Sequence, residues 1–515
     1  MTRHSQRPGV AAVLLAALAL SLVPAPRAQA QKMGRTFTDE RLGLSLKVPD
    51  KYDPIPIDPN EFYVLAKFNG PKEIEYGRSG QVQYDSEVYV LRVPKDEKAT
   101  ITIKVNGEDR EITIPDQYRV KSAKDYFEKS YYKVEWKGDK KTTINGRDAR
   151  ELELLVFGRN GEIGKQFLAT VFSTDDAEYA VVGGILASKF DKYEKAFKAS
   201  AKTFKIDAQK LEAAVKAEKD RRAGKGVDVE GYGSASLAKK REEKIKWAEQ
   251  NVKSIPGWFV LPSDNYVIVS NTDKAFCKEI AKRIETIRRD IYEKLFPPES
   301  PITEVSIVRV CKNLDEYHAY GGRPGSAGYW FAPAEELVMF DNKDRDREYT
   351  FEVMYHEAFH QYIHYAAGEL PPHSWFNEGT GDYFSGHKWK NGKFLLGKCD
   401  RTETIRTAVR EGTAFPLEKF LSMEQNEYYA RPDVAYAQGW ALVYYLREEA
   451  PDARWRQIPD IYFNTLKAEF ARLKAEGKHE AEAGKLARKA AVEKAIEGVD
   501  LAKLEAAFFK FCEAI

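Results

Sequence analysis

The chain has 515 residues, 81 of them basic and 79 acidic, with 43% hydrophobic residues, 8 histidines and 4 cysteines. So balanced a charge gives no case for a nucleic-acid partner or an anionic membrane surface, and the length calls for two or three domains rather than one. Residues 1–30 read as a secretory signal. Arg3 and Arg7 form a basic start, Val10 to Val23 an apolar core, and Ala28-Gln29-Ala30 an A-x-A cleavage site. The apolar run is about fourteen residues, short for a membrane span, and no other such run follows. The mature protein, beginning at Gln31, is therefore expected to be secreted or periplasmic, with no integral membrane span.

Residues 31–206 predict a strand-rich domain. Leu44-Ser45-Leu46-Lys47-Val48 and Glu87-Val88-Tyr89-Val90 alternate apolar and polar positions. Ile101, Ile103 and Val105 face Ile112 and Ile114 across Asn106-Gly107, a strong hairpin-turn dipeptide. Ile144-Asn145-Gly146-Arg147 opens another turn, followed by strands at Leu152–Val156, Phe167–Phe172 and Tyr179–Val182. Phe190, Tyr193, Phe197 and Ala201 then mark one face of an amphipathic helix, and Phe204-Lys205-Ile206 closes the unit. This order is similar to the PsbP/Mog1-like α/β fold, on the pieces Gly43-Leu44-Ser45-Leu46-Lys47-Val48-Pro49 and Thr203-Phe204-Lys205-Ile206. The segment has no histidine, so no catalysis is assigned to it. Docking, substrate presentation or a plain spacer are the roles open to it. Residues 207–256, rich in Lys and Glu and broken by glycines, read as a charged helical linker.

Residues 257–515 begin with a strand, Tyr266–Ser270, and a helix marked by Phe276, Ile280, Ile284, Ile287, Ile291 and Leu295. A second strand, Val305–Val310, precedes a Gly-rich loop, Gly321 to Gly328, that leads through Tyr329-Trp330 to Leu337–Phe340. Then comes His356-Glu357-Ala358-Phe359-His360, an H-E-x-x-H, with an E-x-x-x-D at Glu378 and Asp382. On a helix the two histidines leave one face a turn apart, so both rings can reach one Zn²⁺ at about 2.0–2.1 Å. Glu357, a step of ~100° round the helix, sits beside the metal as a general base. Glu378 is the natural third ligand, leaving one position open. Asp382, a turn later, can fix the tautomer of a ligand histidine.

At these residues the chain resembles the gluzincins, zinc metallopeptidases in which a glutamate on a following helix completes the H-E-x-x-H pair. The run from Trp375 to Phe384 is similar to the N-E-G-x-x-D segment of thermolysin-like enzymes. It is closer still to the W-x-x-E-G-x-x-x-Y-F segment of peptidase-MA-like proteins, including the DUF1570 group. The resemblance implies His356, His360 and Glu378 as ligands of one zinc ion, Glu357 as base and Asp382 behind the ligands. Tyr436, in a helix opening with tyrosine downstream of the metal glutamate, is the candidate donor to the oxyanion of peptide hydrolysis. In such enzymes the strand just before the metal helix is a sheet edge along the cleft. Leu337 to Phe340 is thus the candidate edge for pairing with an extended polypeptide substrate.

His364 is expected near the surface or behind the ligands, and His373 in a loop before the second motif. Cys277, Cys311, Cys399 and Cys512 lack a C-x-x-C spacing, which leaves two disulfides or buried thiols. The expected class is α+β: a sandwich-like α/β domain, a helical linker, then a zincin-type domain with a small mixed sheet and a helical subdomain. The expected function is an exported zinc-dependent peptidase. The alternatives are a non-enzymatic envelope scaffold with a structural zinc site and a zinc amidase acting on cell-wall material.

Overall fold

A computed structural model describes residues 32–77, 80–95, 100–105, 108–113, 119–157, 164–222, 234–298 and 301–515. The expected secretory signal, the Asn106-Gly107 turn and the glycine-broken stretch at 223–233 lie outside these residues. The chain is α+β, with most strands in its first half and most helices in its second.

The first half opens with β1 (Met33–Asp39), β2 (Leu44–Pro49), β3 (Asp53–Ile55), β4 (Val64–Gly77) and β5 (Gly80–Pro94). There follow β6 (Thr100–Val105), β7 (Glu108–Thr113), α1 (Ala123–Ser130), β8 (Lys133–Ile144), β9 (Arg147–Phe157), β10 (Lys165–Ser173) and β11 (Ala177–Leu186). It closes with α2 (Phe190–Thr203) and β12 (Lys205–Ile206). Seven strands form an antiparallel sheet in the order β3-β4-β5-β11-β10-β9-β8, beside a small sheet β1-β2-β12. Ile144 pairs with Arg147 around Asn145 and Gly146, both at positive φ (53° and 76°), the geometry a two-residue hairpin turn requires.

Alternation along the strands sends Val88 and Val90 to one face of the large sheet and Tyr89 and Leu91 to the other. The first face packs on α2 through Phe190, Tyr193 and Phe197; the second packs on α1 through Ala123 and Phe127. A Cβ at Gly183 would lie 2.1 Å from Phe197, so only glycine lets that ring reach the sheet. Each fully buried aromatic or aliphatic side chain here is worth roughly 1.5–3 kcal/mol relative to exposure.

The charged stretch holds two helices, α3 (Ala208–Arg222) and α4 (Ser234–Val252). They are not wholly solvated. Leu211 of α3 joins the core beneath α2, while Ala248 and Val252 of α4 pack on Val267, Val269 and Ile307 of the second sheet.

That sheet is built from β13 (Phe259–Pro262), β14 (Tyr266–Ser270), β15 (Ser306–Cys311), β16 (Gly328–Phe331) and β17 (Glu336–Phe340), in the order β13-β14-β15-β17-β16. Its helices are α5 (Lys274–Ile287), carried through a π turn into α6 (Glu293–Leu295), then α7 (Leu314–Ala319), α8 (Arg347–Ala366) and α9 (Ser374–Ser385). A short hairpin follows, β18 (Lys388–Lys390) and β19 (Lys393–Leu395). The helical remainder comprises α10 (Thr402–Arg410), α11 (Leu417–Leu421), α12 (Gln425–Tyr428), α13 (Pro432–Tyr444), α14 (Ala453–Arg456), α15 (Ile458–Ala475), α16 (Glu480–Ile496) and α17 (Leu501–Ala514).

The strand Leu337–Phe340 is not the sheet edge. It lies inside β17, parallel to β15 on one side and antiparallel to β16 on the other. Leu337, Val338 and Met339 are fully buried, the continuous apolar run of an interior strand. The edge belongs to Gly328–Phe331, which comes earlier in the chain but lies beyond β17 in the sheet. The four cysteines are free thiols, three of them buried. Among the described residues, no helix is long and apolar enough to cross a membrane.

Candidate metal centre

Helix α8 starts where the Asp346 carboxylate accepts the Glu348 N–H at 2.8 Å, an N-cap. Phe351, Met354, Tyr355, Ala358, Phe359 and Tyr362 bury one face, which rolls His356, Glu357 and His360 to the half-buried flank. Helix α9 meets that flank at close range because glycines line the contacts. A Cβ at Gly381 would lie 2.9 Å from the His356 ring, and one at Gly379 only 2.4 Å from the Gly439 carbonyl oxygen of α13. A larger residue at Gly381 would push Asp382 away from α8, and one at Gly379 would force α9 off α13.

The side chains converge as follows. His356 Nε2 and His360 Nε2 are 2.8 Å apart, and each is 3.3 Å from Glu378 Oε2. Ligand atoms at 2.0–2.1 Å from a tetrahedral ion stand roughly 3.3–3.4 Å from one another, so both distances to the carboxylate fit and the pair of nitrogens must open by about half an ångström. Behind the triangle, His356 Nδ1 lies 3.0 Å from Asp382 Oδ1, and His360 Nδ1 lies 3.1 Å from Asn377 Oδ1. With each Nδ1–H donating outward, both Nε2 lone pairs point to one spot. His356, His360 and Glu378 thus form a group that could hold a metal ion.

The charge balance favours a cation at that spot. Burial opposes the charged form of His356, yet its hydrogen bonds to Asp382 and Glu378 win and raise the imidazole well above its ordinary value. Burial likewise pushes Glu378 up, but His360 and His356 outweigh it and hold the carboxylate well below its usual range. Glu357 stays outside the triangle. Burial raises its carboxyl, His356 and His360 partly offset that, and the Trp330 backbone N–H of β16 donates to it. A Cβ at Gly328 would lie 3.0 Å from Glu357 Cγ, so the edge strand passes directly over this acid.

Tyr436 is half-buried and one hydroxyl removed from the donor triangle. The side chain resting on Glu378 is Tyr429, whose hydroxyl donates to Oε1 at 2.8 Å. Tyr429 in turn pairs with Tyr436. Burial, then the neighbouring Glu378 charge, pushes both phenols up, so both remain protonated donors. Tyr429 caps α12, outside any motif, and nothing in the local pattern marks it. Asn377 stands next to Glu378 inside the second motif, where position alone could have suggested it. Arg401, just before α10, was equally unmarked. Its Nε makes an ion contact with Asp382 Oδ2 at 2.5 Å, and its guanidinium lies 4.9 Å over the Tyr436 ring.

The remaining histidines stay apart from the triangle. His364 lies against Trp330 and Tyr365, His373 is buried with Nδ1 3.0 Å from the Tyr462 hydroxyl, and His387 Nδ1 is 3.1 Å from the Tyr383 carbonyl. His318 is exposed, and His479 caps α16.

No family model and no curated protein matches this chain. Among solved structures, the cyanobacterial PsbP (CyanoP) of Synechocystis sp. PCC 6803 aligns at 13% identity over 35% of this chain and 94% of its own, with a TM-score of 0.22. A crystal structure from Bacteroides thetaiotaomicron VPI-5482 aligns at 8% identity over 56% of this chain and 78% of its own, with a TM-score of 0.17. Superpositions this loose carry no functional or fold argument, and the architecture rests on the strand order above.

Proposed function

We propose that the chain is an exported zinc-dependent peptidase that hydrolyses peptide bonds, with Glu357 as general base. The observation that carries this reading is the convergence of His356, His360 and Glu378 on one point while Glu357, an acid with no ligand duty, lies beside them beneath a sheet edge. A site serving structure alone has no use for Glu357 and usually closes its fourth position with a protein ligand. Imidazole and carboxylate donors with this spacing suit zinc. When bound, zinc supplies Lewis acidity toward a carbonyl and lowers the pKa of water.

The chain's own residues do the rest. An extended polypeptide pairs with the backbone groups of β16 that Glu357 does not engage, which sets its carbonyl over the site. Glu357, its carboxyl raised by burial, takes a proton from water and returns it to the departing amine. The Tyr429 hydroxyl donates its one proton to Glu378 Oε1 and steadies that carboxylate, which leaves Tyr436 as the candidate donor to the oxyanion. Asp382 and Asn377 hold the two imidazoles in the tautomer that leaves Nε2 free.

The test joins elemental analysis of the purified protein with digestion of an unfolded protein and of cell-wall material, each with and without chelator. Stoichiometric zinc and chelator-sensitive cleavage of the unfolded protein are expected. Chelator-sensitive attack on wall material alone would transfer the reading to the amidase, and bound zinc with no hydrolysis would transfer it to the scaffold.

A further inference from the structure

Strand β16 is fastened at both ends by parts of the chain that precede the second sheet. Upstream, its approach runs through Gly321 (φ 100°) and Gly325 (φ 84°), conformations that favour glycine. A Cβ at Gly321 would lie 2.0 Å from Asp58 Oδ2, so the carboxylate of an N-terminal-domain residue sits directly on this turn. Asp58 is itself fixed. Its Oδ1 accepts the Asn60 N–H at 2.8 Å, its carbonyl accepts the Glu61 N–H at 2.8 Å, and Glu61 is paired with Lys67 at 2.6 Å. Nearby, Lys72 of β4 pairs with Asp315 of α7 at 2.5 Å. Downstream, the turn into β17 holds Glu335 at φ 53°, where Lys244 of α4 forms an ion pair with it.

Between β4 and α7 lies a polar cavity of about 370 Å³, lined by Lys67, Asn69, Lys72, Lys165, Asp315 and His318 among others. Two contacts between the bodies, at Gly321 and at Asp315, flank this region. Those points lie next to the turns that lead into the strand passing over Glu357.

We infer that the N-terminal domain is a positioning element for the site: Asp58 on Gly321 and Lys72 on Asp315 set the position of the β16 edge over Glu357. Its effect on turnover rests on the peptidase reading; its effect on the strand does not. Asp58 and Lys72 are positioning residues, acting only through β16. An inert N-terminal domain would leave the strand as it is whatever happened at these contacts.

The test uses the full chain and first alters the N-terminal domain alone. Asn69→Trp wedges the cavity open, and Lys72→Glu reverses one contact. Amide hydrogen exchange across residues 321–331 is measured alongside zinc content and, for peptide cleavage, kcat and KM separately. Expected are faster exchange confined to that segment, unchanged zinc content, and a rise in KM of about two- to fivefold for Lys72→Glu, the range an exposed ion pair supports. The double variant Lys72→Glu/Asp315→Lys should restore both exchange and KM. Wild-type exchange and KM in Lys72→Glu would overturn the inference, even if the Trp variant fails to fold. Faster exchange in a protein that cleaves no peptide would leave the inference standing and sink the peptidase reading instead.

Discussion

The two large sheets of this molecule end differently. The seven-stranded sheet is bounded by β3, three residues with Pro54 at its centre, and by β8, which carries Lys133, Lys137, Lys140 and Lys141 along its length. Proline and lysine blunt an edge against strand addition. The five-stranded sheet has one end at Gly328-Tyr329-Trp330-Phe331, with no charge and no proline, above the acid Glu357. The first sheet is blunted at both ends. The second is left open beside the side chains able to do chemistry. The comparison also separates two uses of burial. Around α1 and α2 it pushes the Tyr126 and Tyr193 phenols up, further from neutrality, whereas around α8 and α9 it acts on the acids and imidazole of the site, Glu357, Glu378 and His356.

If chemistry belongs to the second half alone, Glu357→Gln should retain its metal and lose about 10²–10⁴-fold in turnover, as removal of a general base does. Metal analysis and steady-state kinetics check this together, and retained turnover would break the assignment. In the first half, Phe127→Ala should cost about 3–5 kcal/mol of stability by leaving a cavity, with zinc affinity unchanged. Denaturant unfolding and zinc titration below the transition separate those two effects.

The legible and illegible parts of the site divide by distance along the chain. His356, Glu357 and His360 are neighbours on one helix, so their spacing already implies a shared face. The pairing of Glu378 with Asp382 reads the same way. Tyr429 reaches Glu378 across 51 positions of sequence. Arg401 reaches Asp382 across 19, from a loop whose direction no periodicity reports. In the first half, alternation and the Asn145-Gly146 turn made most strands visible, since an antiparallel hairpin is a local object. The edge was misplaced because β16 is only four residues long and folds back outside a strand that follows it.

The two tyrosines sharpen the picture further. Tyr436→Phe should cost about 10²–10³-fold in kcat if its hydroxyl serves the oxyanion, while Tyr429→Phe, which loses the hydrogen bond to Glu378, should cost less than about tenfold. Equal losses would mean that the hydroxyl pair works as a unit. Asp382→Ala should weaken zinc binding by about 10–100-fold, read by competition with a chelating dye, because His356 loses the acceptor that sets its tautomer.

The smallest effect concerns the buried histidine beside α15. Burial lowers His373 to about 4 in the folded protein, against about 6.5 when unfolded. Protonation thus favours the unfolded chain, so the stability is complete above about pH 6.5 and shrinks as pH falls toward 4. Between pH 7.5 and 5 the loss should be about 2 kcal/mol. His373→Gln should flatten that slope in unfolding curves taken at the two pH values.

By itself, the order of residues determined what lies within one helical turn or one hairpin: two imidazoles and an acid on α8, a carboxylate pair on α9, alternating faces in the antiparallel strands. Backbone geometry alone converts such spacings into shared faces. Only the tertiary structure decided that Gly381 lets α9 close on α8 and Gly379 on α13, that Tyr429 and Asn377 stand behind the donors, and that Gly328–Phe331 holds an edge of the sheet. Those relations depend on how separate elements pack, which is governed by side-chain volume summed over the core and not by the spacing of any segment.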